Sequence, residues 1–86
     1  MTTTTLKTDM GWGMMGVKAD FANASDPVES LNYETGEWQP TQYQVANFQH
    51  SPQQALRQII EDDLLESGFD IENYEEDIED ALNAAE

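Results

Sequence analysis

Apolar residues recur at helical spacing in the second half of the chain and predict a helix over residues 52–67. The stripe repeats every three or four positions, as one face of a helix requires: Ala55, Leu56, Ile59, Ile60 and Leu64. We expect this stripe to pack into the protein core. The alternative is that it forms a groove for a partner helix.

Signals for both ends of this helix are present. Ser51 suits the N-cap because its hydroxyl accepts from a free backbone N–H, and Pro52 suits the first helical position because proline has no N–H. Gln54 occupies the capping-box position from which a side chain bonds back to the cap. At the other end Gly68 suits a left-handed residue, and Phe69 would then fold back on the helix as in a Schellman motif.

A second amphipathic pattern predicts a helix over residues 71–85. Its apolar positions keep the same period: Ile71, Tyr74, Ile78, Leu82 and Ala85. Asp70 or Asn73 is the expected cap. Because the connection at Ser67–Asp70 is short, the two helices are predicted to form an antiparallel hairpin.

The first half of the chain contains short β-type segments separated by turn signals. The predicted strands are the β-branched segment Thr2–Lys7, the weakly alternating segment Val17–Asn23, and Tyr43–Phe48. The dipeptide Asp26-Pro27 indicates a turn between two of them.

Residues 31–38 predict a β-hairpin. Gly36 supplies the positive φ that the turn needs, and Tyr33 and Trp38 are expected to pair across the two strands. Pro40 is expected to end the second strand or to place it at a sheet edge, because proline cannot donate to a strand ladder.

These elements predict an α+β fold. A small antiparallel sheet from about residues 2–48 packs against two C-terminal helices, about 52–67 and 71–85. The length suits one small domain with one core, and there is no internal repeat or low-complexity linker. We therefore expect residues 1–86 to form a single acidic domain.

The segment Gly11-Trp12-Gly13-Met14-Met15-Gly16 matches the letters of a phosphate-binding loop. That motif needs a βαβ unit within a larger sheet, which this chain is too short to contain beside its helices. We expect a flexible or turn-forming segment whose Trp and Met side chains cover the core. A contact loop with adaptable side chains is the alternative.

The acidic residues are concentrated at one end of the chain. The sequence has 18 Asp and Glu against 3 Lys and Arg, for a formal net charge of −15. Residues 61–86 contain twelve acids and no base, or −12, whereas residues 1–60 contain six acids and three bases, or −3. This charge disfavours direct binding to nucleic acid or to an anionic membrane, and its complement is a basic protein surface.

Eleven of these carboxylates are the predicted partner-binding residues: Glu61, Asp62, Asp63, Glu66, Asp70, Glu72, Glu75, Glu76, Asp77, Glu79 and Asp80. In the second helix several like charges stand four residues apart, each pair costing roughly a few tenths of a kcal/mol. A helix selected only for stability would include lysines there. We therefore interpret the run as functional, with a solubilising face as the alternative.

The composition also bears on folding and location. Leu, Ile, Val and Phe make up 16 of 86 residues, a low share that with high net charge is typical of disordered chains. The capped helices, two Trp and three Tyr favour a folded domain of marginal stability, which a homodimer or a partner would stabilise. With no Cys, no apolar stretch of membrane-spanning length and no signal-peptide core, we expect a cytoplasmic protein.

Little in the sequence supports an enzyme. His50 is the only histidine, and we expect it to be a residue flanking the helix cap that packs or bonds locally. There is no Cys/His set for zinc and no EF-hand loop, so the acidic runs would hold Ca²⁺ or Mg²⁺ only loosely. We predict no catalytic activity, no metal site and no cofactor.

The spacing of the acids suggests a comparison with nucleic acid. Six carboxylates lie between Glu72 and Asp80. Those nine residues span about 12 Å at the rise of an α-helix, or about one charge per 2 Å. Duplex DNA carries one charge per about 1.7 Å of its axis. The match is in charge density and not in shape, because a helix spreads its side chains around its axis.

In size, charge and layout the chain resembles a class of small, acidic, cysteine-free inhibitors from phages and mobile elements. This class includes anti-restriction proteins and the anti-CRISPR proteins that mimic nucleic acid. The resemblance covers residues 51–86 and includes no diagnostic motif. It implies a protein that blocks the nucleic-acid-binding channel of a host defence complex.

Two other functions stay open. In the first, the charge serves solubility and the chain is an adaptor that binds a partner through an aromatic and methionine patch at Trp12, Met14, Met15 or Trp38. In the second, it is a small enzyme or metal-binding protein. Charge reversal on the second helix separates the inhibitor from the adaptor.

Overall fold

The computed structural model describes residues 3–86, and within them four strands precede two α-helices. The strands are β1 (Thr4–Asp9), β2 (Met14–Ala19), β3 (Pro27–Leu31) and β4 (Trp38–Gln44). The helical elements are a 3-10 helix (Val45–Phe48), α1 (Pro52–Glu66), a second 3-10 helix (Ile71–Tyr74) and α2 (Glu75–Ala84). The strands form one antiparallel sheet in the order β1-β2-β3-β4. The α+β prediction is therefore confirmed.

The core lies between one face of the sheet and the two helices. The predicted stripe of α1 is buried along its whole length: Ala55, Leu56, Ile59, Ile60 and Leu64. It packs on β1 and β2, where Met15, Val17 and Ala19 alternate with residues of the opposite face. Ile78 joins the same cluster from α2. The stripe is core, and its use as an open groove for a partner helix is excluded.

The N-terminus of α1 has some of the predicted capping interactions. Ser51 is the N-cap, and its hydroxyl accepts a hydrogen bond from the backbone N–H of Gln54 at 3.3 Å. Pro52 occupies the first helical position as expected. Among the described residues, no return bond from the Gln54 side chain to the cap is formed, so the capping box is only half present.

The end of α1 is a Schellman motif, as predicted. The helix stops at Glu66, and Gly68 follows with φ 82°. The N–H of Gly68 donates to the carbonyl of Leu65 at 3.1 Å, and the N–H of Phe69 donates to that of Leu64 at 2.9 Å. The positive φ is why glycine is favoured here, and this turn sends the chain back towards the sheet.

The second predicted helix is divided. Residues 71–74 form the second 3-10 helix, which Asp70 caps by accepting from the N–H of Glu72 at 3.3 Å, and α2 begins only at Glu75. Tyr74, the last residue of this 3-10 helix and the N-cap of α2, has φ −120° and ψ 4° and so departs from α-helical geometry. The two helices contact each other, but the continuous helix over 71–85 was wrong.

Two strand predictions are shifted. The second strand is Met14–Ala19 and not Val17–Asn23, because all six residues pair with β1 and Asp20 then starts a turn, with the N–H of Asn23 donating to its carbonyl at 3.0 Å. The first strand begins at Thr4, and the predicted start at Thr2 lies outside the described residues.

The predicted strand Tyr43–Phe48 is also wrong beyond its first two residues. β4 ends at Gln44, and the first 3-10 helix follows, closed by a hydrogen bond from the Gln44 N–H to the side-chain oxygen of Asn47 at 2.8 Å. Val45 and Phe48 are three residues apart and both buried, a spacing that suits three residues per turn.

The β3–β4 hairpin forms around Gly36, which has φ 74° as predicted. Leu31, and not Tyr33, pairs with Trp38. Tyr33 is in the turn because the N–H of Asn32 already donates to the carbonyl of Glu37 at 2.9 Å.

The two prolines of this region both belong to strands. Pro27 opens β3 instead of forming part of a turn, and Pro40 lies within β4. β4 is an edge strand of the sheet, as Pro40 predicted.

The C-terminal part of α2 is hydrogen-bonded to β1. The hydroxyl of Thr8 donates to the carbonyl of Ala81 at 2.7 Å, and both residues are buried. Beyond the helix, Lys7 and Glu86 exchange a pair of backbone hydrogen bonds at 2.8 and 2.9 Å. These bonds use the free edge of β1 and hold α2 against the sheet. Within residues 3–86 neither helix has the length and hydropathy needed to cross a bilayer.

We expect Leu56→Ala and Ile60→Ala each to lower the free energy of unfolding by about 2–5 kcal/mol, because each leaves a cavity in a fully buried site. Urea denaturation of the purified protein measures the change. Leu65→Ala is the matched control, since Leu65 is on the same helix but 58% exposed. Equal shifts in the three variants would contradict the assignment of the stripe to the core.

Candidate functional site

The sheet separates the two lysines from the helices. Leu6 and Val17 face the core as register partners, so Lys7 and Lys18, the next residues along the strands, point to the outer face. There Trp38 lies between the two lysines, with the lysine Nζ atoms 6.0 Å and 4.9 Å from its ring centre. The outer face therefore holds two of the three Lys and Arg residues of the chain.

One of the two outer-face lysines, Lys18, also has an acidic partner. Lys18 Nζ lies 3.7 Å from Glu29 Oε2, so its ammonium group is placed between an indole ring and a carboxylate. Gly16 makes this possible, because a Cβ at that position would lie 3.2 Å from Cη2 of Trp38. The remaining cation, Arg57, pairs with Glu61 at 3.5 Å. In residues 3–86 these are the only ion pairs, so the other acids of the helical region have none.

Three of the predicted partner-binding acids are engaged in holding the fold. Glu61 is paired with Arg57, and Asp70 caps the second 3-10 helix. Asp62 accepts from the hydroxyl of Tyr43 at 2.6 Å and from Nε2 of Gln58 at 2.9 Å. The bond to Asp62 raises the pKa of the Tyr43 hydroxyl, because the carboxylate stabilises its protonated form. These three side chains are less available to a partner.

Asp63 and Glu66 face the turn of the β3–β4 hairpin across a groove of about 510 Å³. Glu34 lines the other side of this hairpin groove. Burial raises the pKa of Asp63, and the charges of Glu66 and Glu34 raise it further, while a hydrogen bond from Trp12 acts in the opposite direction. Asp63 in turn raises the pKa of Tyr33. The groove therefore brings together acids that are distant in sequence.

The acids of α2 are arranged differently. Asp77 and Asp80 line a cleft of about 420 Å³ with Asp9, which belongs to the end of β1. Both are exposed, as are the other acids of α2 and its preceding 3-10 helix: Glu72, Glu75, Glu76 and Glu79. The helix break changes their spacing, since a 3-10 turn rises about 2.0 Å per residue against 1.5 Å in an α-helix. The charges from residue 72 to 80 therefore extend somewhat further than a continuous helix would place them.

An aromatic pocket lies beside the hairpin groove. It has a volume of about 300 Å³ and is lined by Trp12, Tyr33, Asp63, Leu64, Ser67, Phe69 and Tyr74. The rings of Trp12 and Phe69 each meet Tyr74 edge to face, with centre distances of 6.4 and 5.6 Å. Gly13 admits the Tyr33 ring, because a Cβ there would lie 2.8 Å from Cβ of Tyr33. Asp63 is common to the pocket and the groove.

The glycine-rich segment is therefore partly as expected. It includes the turn after β1, where Met10 donates to the carbonyl of Gly13 at 3.0 Å, but its second half is strand β2. The strand after this turn runs antiparallel to β1 with no helix between them, so the segment does not form a phosphate-binding loop. Met15 is buried as predicted, whereas Trp12 and Met14 are 42% and 45% exposed and do not cover the core.

Four residues that line the hairpin groove or the aromatic pocket were not predicted as site residues. Glu34 and Tyr33 come from the hairpin turn, and Phe69 and Tyr74 were assigned only to the packing of the helices. The Schellman motif was the one available signal, because it places Phe69 just outside the end of α1. Nothing in the sequence indicated that the β1–β2 turn would meet this point.

His50 has a structural partner distant in sequence. Its Nδ1 lies 2.8 Å from the carbonyl oxygen of Phe21, to which the protonated ring nitrogen donates. The bond spans 29 residues, so the prediction of a local bond was wrong. Within the part of the chain that the structure describes, no three Asp, Glu or His side chains are grouped as a metal site.

Comparison of the chain with protein families, with curated proteins and with solved structures found no significant match.

We expect Asp63→Asn to raise the free energy of unfolding at neutral pH, because the folded state disfavours the ionised carboxylate. A pKa raised by folding means that the folded state binds the proton more tightly, so the stability of the original protein rises as pH falls through that pKa. The advantage of the variant should therefore shrink in the acid range.

Urea midpoints across this pH range measure the effect. Asp80→Asn is the control, since it removes one charge from an exposed position on α2. A difference between the two variants that stays constant with pH would contradict the assignment to Asp63.

Proposed function

We propose that this protein is an acidic inhibitor that binds the basic channel of a nucleic-acid-binding complex of host defence, in the manner of an anti-CRISPR protein. The observation that carries the proposal is the segregation of charge. Both lysines are on the outer face of the sheet, and Arg57 is paired with Glu61. The acids of the helical region beyond Glu61 have no cation of this chain beside them within residues 3–86.

This segregation supports binding through a summed electrostatic field. Clustered like charges create a potential that steers an oppositely charged surface and raises its association rate. The same field repels nucleic acid and anionic lipid, so the expected partner is a protein. Since the carboxylates lie at a density close to that of duplex phosphates, Lys and Arg side chains that normally bind phosphate are suitable contacts.

We assign partner contact to a smaller set of acids than the sequence predicted. Glu61, Asp62 and Asp70 have roles inside the fold. The remaining eight form what we call the acidic helical surface: Asp63, Glu66, Glu72, Glu75, Glu76, Asp77, Glu79 and Asp80. In this proposal the protein acts in the cytoplasm, where its partner binds nucleic acid, and it needs no cofactor and catalyses no reaction.

An adaptor function is the second candidate. Trp12 and Met14 are exposed, and large apolar side chains at a surface are typical contacts for a partner. Met15 is buried in the core, and Trp38 is covered by two lysines, so neither contributes to such a patch. In this version the aromatic pocket provides the affinity and the charge provides solubility.

Neutralising four acids of α2 and its preceding turn separates the two candidates. We expect the combined variant of Glu72→Gln, Glu76→Gln, Asp77→Asn and Asp80→Asn to bind its partner more slowly and with a flatter salt dependence. Each charge that faces a desolvated Lys or Arg contributes about 1 kcal/mol, and less at an exposed rim.

The partner is first captured from the host cells with tagged protein and identified by mass spectrometry, and association is then measured at several salt concentrations. Displacement of labelled duplex from that partner tests the inhibitor function directly. As a charge-matched control, Glu29→Gln with Glu37→Gln, outside the helical surface, is compared with Glu72→Gln and Glu76→Gln. Affinity that is unchanged by salt and by all four neutralisations would exclude the inhibitor and leave the adaptor.

A further inference from the structure

The aromatic pocket combines two features that favour a cation. Trp12, Tyr33, Phe69 and Tyr74 surround it with π-systems, whose faces carry partial negative charge. Asp63 adds a carboxylate, and Glu66 and Glu34 lie close enough to affect its ionisation. A neutral apolar ligand would contact the rings but would leave the negative charge of this carboxylate without a counter-charge.

On the outer face of the sheet, an ammonium group already lies beside both an indole ring and a carboxylate. There the Lys18 ammonium is 4.9 Å from the centre of the Trp38 ring and 3.7 Å from the Glu29 carboxylate. Trp12 and Asp63 repeat the pairing of indole and carboxylate in the aromatic pocket. All three Lys and Arg side chains of the chain are placed elsewhere, so a cation for this pocket has to come from another molecule.

We infer that the aromatic pocket, with Asp63 at its edge, binds the guanidinium group of an arginine side chain presented by a basic protein partner. The volume of about 300 Å³ is at the lower limit of small-ligand sites and suits one long side chain. Arginine fits better than lysine because its planar, weakly hydrated head stacks on aromatic rings while donating two hydrogen bonds to a carboxylate.

This inference rests on the proposed function and deepens it by adding an anchor to the diffuse field. An exposed carboxylate surface gives fast association but little residence time, whereas a side chain inserted between aromatic rings slows dissociation. The acidic helical surface would thus bring the partner close, and the aromatic pocket would fix one arginine. An arginine bound in this way accounts for the exposure of Trp12 and for the position of Asp63 at the junction of the pocket and the groove.

Titration with a blocked tripeptide, Gly-Arg-Gly, tests the pocket in the full-length protein without any partner. Two-dimensional NMR gives one indole N–H signal for Trp12 and one for Trp38, so the second Trp is an internal control. We expect a saturable shift of the Trp12 signal, no comparable shift for Trp38, and no saturable shift with the citrulline peptide, which keeps the shape but removes the charge.

Variants locate the interaction. We expect Asp63→Asn to weaken binding of the arginine peptide by about three- to tenfold, the range for one partly exposed charge-assisted contact. Asp80→Asn, with the same loss of charge outside the pocket, should change it by less than about twofold. Phe69→Leu removes one ring from a half-exposed position and should also weaken binding several-fold.

Four results would overturn the inference: no saturable shift, equal binding of the citrulline peptide, equal effects of Asp63→Asn and Asp80→Asn, or tighter binding of a trimethyllysine peptide. The last result would assign the pocket to a methylated ammonium group instead. The peptide titration tests the aromatic pocket without the partner, whereas the four neutralised acids lie outside the pocket. Failure of the pocket inference can therefore be distinguished from failure of the proposed function.

Discussion

Burial of the α1 stripe against β1 and β2 is the interaction on which the other parts of the protein depend. Leu56 and Ile60 are fully buried there, and Val17 meets them from the sheet. Because the buried apolar residues of the sheet lie on this inner face, the helices have to pack on one side of it. Packing on one side places the acids of both helices away from the two lysines, so the polarity of the molecule follows from its core.

The acidic helical surface is tolerated because few of its charges are buried. Like charges on a helix destabilise it by only a few tenths of a kcal/mol per pair when water screens them. Asp63 is the exception, since burial and two neighbouring acids raise its pKa. A charge held under such conditions gains more from a cation than an exposed one does, which is why the aromatic pocket and the charged surface act as parts of one binding site in our proposal.

The predictions were confirmed where the structure depends on interactions between residues close in sequence. The Ser51 cap, the Gly68 stop and the stripe of α1 each depend on residues a few positions apart, and each is present. The predictions failed where pairing between distant segments decides. Pairing with β1 starts β2 at Met14, and the spacing of Val45 and Phe48 fits a 3-10 turn better than a strand.

The sequence by itself determined the α+β class, the main helix and the excess of acid at the end of the chain, because propensity, capping and composition belong to each segment. Only the tertiary structure decided that the Trp12 turn, the Tyr33 hairpin and the end of α1 at Phe69 meet around Asp63. That meeting depends on the strand order and on where the Schellman motif directs the chain. It joins residues up to 62 positions apart, from Trp12 to Tyr74, whose contact no local pattern encodes.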